Sequence, residues 1–282
     1  MFPTQLIGVI SALGSAAVWG SGDFAGGVAS RRNAPVFVLM LSSITGLAVL
    51  AGAALLLQDS LPTRSAVVWS ALAGLSGGLG LTAFYRALAT GPAAVVAPTS
   101  AVVGATVPVF VGFALKGLPE PVQVAALLLG LAGIGLVSSG ADGGRTGSSD
   151  AFLLSVLAGL GFGGFFACIA QVERGSFFFP LAVTRVSELA VAAALYLVQK
   201  RRLPPQTLHP LPFAVGLLDA GGNVLYLTAL QFIRLDIAAV IASMYPGATV
   251  LLAGTIQHER ISRRQFLGIG LSLAAVGLIA VA

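Results

Sequence analysis

Residues 127–137 read LLLGLAGIGLV, and this short run decides the fold class. A strand crossing a bilayer alternates lipid-facing and lumen-facing side chains, so its polarity has a period of two. No polar residue interrupts this run at any spacing. Backbone N–H and C=O groups in hydrocarbon must bond within their own segment or within a closed barrel, and without the barrel's alternation the helix is the remaining solution. Outward from this point the pattern repeats: apolar stretches of about 18–23 residues, separated by short polar or Pro/Gly-rich breaks. That is the length a helix needs to cross a hydrocarbon core of about 30 Å.

Composition agrees. Only 9% of the 282 residues are charged and 57% are hydrophobic, with a mean hydropathy of +0.97. A soluble domain carries about 25% charged residues, so this chain cannot clothe a water-facing surface. The sequence predicts an all-α polytopic membrane protein with ten transmembrane helices, at about 6–28, 35–57, 66–88, 93–115, 121–139, 151–171, 178–198, 211–232, 236–256 and 264–281. Apolar runs continue to Ala282, so the first reads as a spanning helix and not as a signal peptide. The basic excess, 15 Lys plus Arg against 10 acids, is dispersed or placed between apolar runs, which excludes a nucleic-acid groove. Cys168 stands alone, which excludes an intrachain disulfide and a cysteine-rich metal site. No cofactor is expected.

The widest polar break near the middle, SSGADGGRTGSSD at 138–150, divides the chain into a first five-helix unit (1–140), a linker (141–150) and a second unit (151–282). Late in each unit the two resemble one another. Tyr85-Arg86-Ala87-Leu88 and Ala93-Ala94-Val95-Val96-Ala97 match Tyr226-Leu227-Thr228-Ala229-Leu230 and Ala238-Ala239-Val240-Ile241-Ala242, and Gly104-Ala105-Thr106-Val107 matches Gly247-Ala248-Thr249-Val250. Five crossings is an odd number, so two copies of the unit are inverted relative to each other, a plan used by transporters with the solute site near mid-membrane. Basic residues gather after helices 1, 7 and 9 (Arg31, Arg32; Lys200, Arg201, Arg202; Arg260, Arg263, Arg264), which by the positive-inside rule puts both termini outside.

Ionisable groups within apolar runs are costly and normally face the protein interior or a wet cavity. Trp19 and Asp23 share one face of helix 1 among Gly20, Gly22, Gly26 and Gly27. They line a cavity or, alternatively, serve as an interfacial anchor and a wetted helix end. Tyr85 and Arg86 end helix 3, where Arg86 binds an anion, pairs with a carboxylate or snorkels to headgroups. Asp219, Asn223 and Tyr226 form a polar stripe along helix 8, which lines a cavity or glues helices together. Arg185 and Glu188, three apart in helix 7, make a neutralised pair, or else Glu188 exchanges a proton when Arg185 changes partner. Pro98, Pro108 and Pro246 remove backbone donors and can kink helices 4 and 9, with Tyr245-Pro246 as the place to open the second unit. Gly74-x-x-x-Gly78 and Gly159-x-x-x-Gly163 are close-packing motifs. His209 and His258 are loop residues without a second histidine at metal spacing, and no nucleophile elbow, Walker A loop or dinucleotide fingerprint occurs, so the chain reads as neither an enzyme nor an ATP-driven pump.

The early WGSGDFAGG (19–27), YRALATGPAAVVAP (85–98) and YPGATVLLAGTIQHERISRRQFLGIGLSLAAVGLIAV (245–281) resemble the EamA branch of the drug/metabolite transporter superfamily over the whole chain. The resemblance implies ten helices in two fivefold repeats and secondary transport, usually export, of small metabolites such as amino acids or of drug-like compounds. It also implies a multi-pass protein of the bacterial inner membrane with cytoplasmic termini, opposite to the charge count. By resemblance, Trp19, Asp23, Tyr85 and Tyr226 face a central cavity, and Glu259-Arg260 is a structural loop signature. Lys116-Gly117-Leu118-Pro119 departs from the pattern, standing where a Gly-Glu-Arg-like turn is expected. The expected site comprises Trp19, Asp23, Tyr85, Arg86, Asp219, Asn223, Tyr226 and Tyr245, with coupling at Asp23, Arg185 and Glu188 and gating at the three prolines. The expected partners are a small-molecule substrate and the lipid bilayer, the unit a monomer or homodimer, and the alternatives a passive channel or a membrane scaffold.

Overall fold

In the computed structural model the described residues are 2–90, 93–139, 149–173, 176–199, 209–256 and 262–281. They form α1 (Phe2–Ser30), α2 (Pro35–Leu56), α3 (Arg64–Thr90), α4 (Ala93–Lys116), α5 (Pro121–Ser139), α6 (Ser149–Ile169), α7 (Phe178–Gln199), α8 (Leu211–Leu230), α9 (Leu235–Ala242), α10 (Tyr245–Ile256) and α11 (Arg263–Val281). Among the described residues eight stretches, with Leu235–Ile256 taken as one, are long and apolar enough to span a membrane, and Pro121–Leu136 is a shorter apolar helix. Large apolar side chains such as Leu56, Phe110, Leu197 and Val198 stay exposed on the outside, where lipid is their natural solvent. The protein is an all-α polytopic membrane protein. Most of the linker, Gly91-Pro92, Arg174, Lys200, Arg201, Arg202, His258, Glu259 and Arg260 lie outside the described residues.

The ninth expected span differs from its prediction by being two helices. α9 ends at Ala242, Ser243 and Met244 make a turn, and α10 starts at Tyr245 with Pro246 second. A proline in the first helical turn forfeits no intrahelical hydrogen bond, so the sequence restarts a helix there at little cost. α4, in contrast, runs through Pro98 and Pro108 as one helix. All eight residues of α9 are buried, which makes it the most enclosed element and explains why its apolar pattern shows no lipid-facing side.

The packing is pairwise symmetric. α3 lies against α6 and α7 as α8 lies against α1 and α2; α4 lies against α6 as α10 does against α1; α5 pairs with α11 and α2 with α7. Small residues permit these approaches. A Cβ on Gly161 would lie 2.6 Å from the Cα of Gly80, so α3 and α6 meet backbone to backbone. Gly74 and Gly78 seat α7 at Thr184 and Glu188, and Gly159 and Gly163 seat α4 at Val103 and Val107. In lipid, where burying apolar surface gains little, such close packing is a principal source of helix association.

Loop contacts help fasten the first five helices to the rest, among them one from Thr63 to the carboxylate of Glu173 at 3.2 Å. The carboxylate of Asp59, after α2, accepts hydrogen bonds from the backbone N–H groups of Phe177, Phe178 and Phe179 at 3.0, 2.7 and 2.9 Å, capping the start of α7. An anion at a helix N-terminus satisfies orphan donors and complements the dipole. Arg234 chelates the fully buried Asp236 at 3.1 and 3.0 Å and donates to the carbonyl of Gly117 at 2.8 Å. Gly117 has a φ of +71°, so the turn that departs from the family pattern is one that glycine adopts without strain.

Candidate functional site

α1 brings Trp19 and Asp23 inward one turn apart. Trp19 fits because Gly222 on α8 leaves a shelf: a Cβ there would fall 2.6 Å from the indole nitrogen. Ser15 donates to the Gly222 carbonyl at 2.8 Å, and Thr249 to that of Gly20 at 3.0 Å, so α1 is tied to both α8 and α10. Behind the indole, Phe165, Phe166 and Tyr226 pack with ring centroids 6.3, 5.6 and 5.6 Å away. Trp19 is therefore held in one orientation by aromatic edges and a missing side chain.

α7 and α8 supply the charged floor. Arg185 and Glu188 are 1% and 2% exposed, and Arg185 Nη1 donates to Glu188 Oε2 at 2.7 Å. The same nitrogen donates to Asp219 Oδ2 across to α8, so one guanidinium joins two helices. Ser43 on α2 donates to Glu188 Oε2 at 3.4 Å. Asn223 Nδ2 donates to the Asp219 carbonyl at 2.7 Å and to its Oδ1 at 3.3 Å, orienting that carboxylate from one turn below. Buried ion pairs contribute little net stability because desolvation offsets attraction, whereas removing one partner is strongly unfavourable. Such a triad serves function more readily than stability.

These groups surround a cavity of about 60 Å3, lined by Trp19, Asp23, Arg185, Glu188, Asp219 and Asn223 together with Phe162, Phe165, Phe166, Tyr245, Gly77 and Leu81. The walls come from both halves of the chain. Tyr245, at the break between α9 and α10, shares a hydrogen bond with Ser100 Oγ on α4 at 3.1 Å and is also 3.5 Å from the Ala97 carbonyl. Among the described residues no three His, Cys, Asp or Glu side chains cluster as a metal site. The arrangement can hold a small polar solute by charge, amide and aromatic contacts, and it offers no activated nucleophile.

Two segments, residues 6–139 and 150–281, each match the EamA-like transporter family. The chain belongs to that family. Within the drug/metabolite transporter superfamily, EamA proteins are transporters and not catalytic enzymes, and the chain is a multi-pass membrane protein, consistent with the inner membrane. A solved crystal structure aligns with 98% of this chain and 97% of its own at TM-score 0.71; at 22% identity this shows a shared fold alone. Comparison with curated proteins gives no match.

The remaining residues singled out in this EamA protein fall in several places. Tyr85 is buried beside the cavity and does not line it; its hydroxyl comes up against Gly26, within electrostatic reach of Asp23, Asp219, Glu188 and Arg185. Tyr226 stands behind Trp19, fully buried, and its hydroxyl has no partner among the described residues. Arg86 is exposed and does not line the cavity. Pro108 is buried within an unbroken α4; Pro98 lies in the same helix; Pro246 lines a separate, apolar cavity of about 190 Å3 with Leu13, Ile134, Met244 and Ile269. Phe162, Phe165 and Phe166 were not singled out from the sequence. GFGGFF at 161–166 marks aromatic residues beside glycines, but nothing in an apolar run separates a cavity-facing phenylalanine from a lipid-facing one.

Proposed function

We propose that this protein is a secondary active transporter that exports small metabolites, amino-acid-like or drug-like, by alternating access. The observation that carries the reading is a small cavity walled by both halves of the chain, largely apolar but edged by charged and amide groups, with Asp23 contributed by α1 and Asp219 and Asn223 by α8. A carrier requires a site walled by two bodies that can rock against each other, and inverted repeats provide that. In this reading residues 1–140 and 151–282 are two inverted five-helix repeats joined by 141–150, and the pairwise symmetric packing supports it. The single chain, which walls its own cavity, is the transporting unit. Driving energy comes from a proton gradient through Asp23 or Glu188: a proton on Glu188 frees Arg185 to pair with Asp219 alone, changing how tightly α7 holds α8. The break before Tyr245-Pro246 is the hinge, because Ser243 and Met244 already interrupt the helical ladder.

Inside-out membrane vesicles containing the protein, given a panel of labelled metabolites with and without an imposed pH gradient, test this. Gradient-dependent flux of at least one solute is expected, lowered at least tenfold by Asp23→Asn and Asn223→Leu, about the loss of one charge-assisted hydrogen bond. Absence of gradient-dependent flux across the panel contradicts it. Reporter tags at residues 5 and 145 test the inversion, since five crossings place them on opposite sides.

A further inference from the structure

Three carboxylates, Asp23, Glu188 and Asp219, line the cavity against one cation, Arg185. Among the described residues no second cation lines the cavity. Arg86 on α3 is exposed, Arg234 is committed to Asp236 and Gly117, and the contribution of α2 at this level is the neutral Ser43. With its acids ionised the enclosure is therefore two negative charges in excess, in a setting where an uncompensated charge is expensive. The Asp23 carboxylate receives no hydrogen bond or ion pair from the described residues, while Asp219 is held by Arg185 and Asn223. Trp19, Phe162, Phe165, Phe166 and Tyr245 line the same cavity as the acids, and aromatic faces attract cations. One further group wants a partner: Arg185 Nε is buried and donates to nothing among the described residues.

From this juxtaposition we infer that the cavity selects organic ammonium ions: solutes with a protonated amine on a compact apolar or aromatic body, and room for a neutral acceptor such as a hydroxyl or carbonyl at Arg185 Nε. The ammonium donates to Asp23 and leans toward Asp219, where it offsets the excess negative charge. The body lies against Trp19 and the phenylalanines. Free carboxylic acids are excluded because they add a third uncompensated negative charge. This rests on the transport reading for its biological meaning, although binding is testable without it.

The test compares three head groups on one carbon body: isobutylamine, valine and isovalerate, and then phenethylamine, phenylalanine and 3-phenylpropionate. The purified protein in detergent carries two tryptophans, Trp19 in the cavity and Trp69 on the outside, so Trp69→Phe leaves Trp19 as the sole reporter of occupancy. Saturable change in Trp19 emission and in Tm with the two amines is expected, at affinities at least about tenfold above those of the matching amino acids and acids. The isosteric Asp23→Asn lowers amine affinity by about tenfold or more. Should that variant not fold, Asp219→Asn, which leaves Asp23 in place, serves with the same expectation of weakening. Stronger binding of valine or of the carboxylates, or amine binding indifferent to both substitutions, overturns the assignment. Flux assays separate the two readings: amino-acid flux without amine binding sinks the cation assignment alone, and amine binding without any flux upholds it while sinking transport.

Discussion

Helices α3 and α8 occupy matching places, one against α6 and α7 and the other against α1 and α2, yet only α8 carries chemistry. Where α8 presents Asp219 and Asn223 to the cavity, α3 presents Gly77 and Leu81, likewise four residues apart. α1 and α6 repeat the contrast, since Trp19 and Asp23 face the cavity from one and Phe162 and Phe166 from the other. The difference teaches that a frame and a site place separate demands on the sequence. The frame needs small residues at crossings and apolar residues elsewhere, which both halves retain; the site needs charge on one wall and an apolar surface on the other. Gly77 illustrates both demands, because a Cβ there would stand 3.3 Å from Phe165 and 3.6 Å from Glu188 Oε1.

Substitutions can break or sharpen this contrast. The largest effect is expected from Arg185→Met, which leaves the buried Glu188 and the part-buried Asp219 without their shared cation; a loss of roughly 3–5 kcal/mol of stability, read from unfolding in detergent, is expected. Next is Gly161→Leu, which tests the frame: it forces α3 from α6 against the Gly80 backbone, costing about 1–3 kcal/mol, while the cavity's charged residues are unchanged. Asp219→Asn tests the site with the frame intact. Arg185 keeps Glu188, so stability falls by about 1–2 kcal/mol or less, whereas solute-dependent flux falls at least tenfold. The smallest effect belongs to Tyr226→Phe. Its buried hydroxyl has no partner among the described residues, so stability should stay within about 1 kcal/mol of the parent, or rise.

How much of this was legible in the sequence follows the same division. Helical spans were readable because hydrocarbon leaves the backbone one solution, and runs such as LLLGLAGIGLV state it openly. The break at Ser243-Met244 was visible through Pro246, yet Pro98 and Pro108 look no different and leave α4 unbroken; what separates them is tertiary context. Trp19, Asp23, Arg185, Glu188, Asp219 and Asn223 stood out because charge and amide groups are rare in apolar helices, and the structure brings them to one cavity. The direction in which Arg86 points could not be read near a helix end, where a residue can turn to either environment. Asp59 capping α7 and Arg234 reaching Gly117 were invisible, since each joins loops more than a hundred positions apart.

Counterflow in proteoliposomes tests the central claim most directly. Vesicles loaded with an unlabelled member of a panel of amino acids and organic amines are diluted into a trace of the same compound, labelled. A carrier exchanging solute at a cavity closed alternately to either side accumulates label transiently above equilibrium for at least one compound, and Asn223→Leu abolishes the overshoot. Label that equilibrates equally fast in loaded and empty vesicles for every compound would contradict the account.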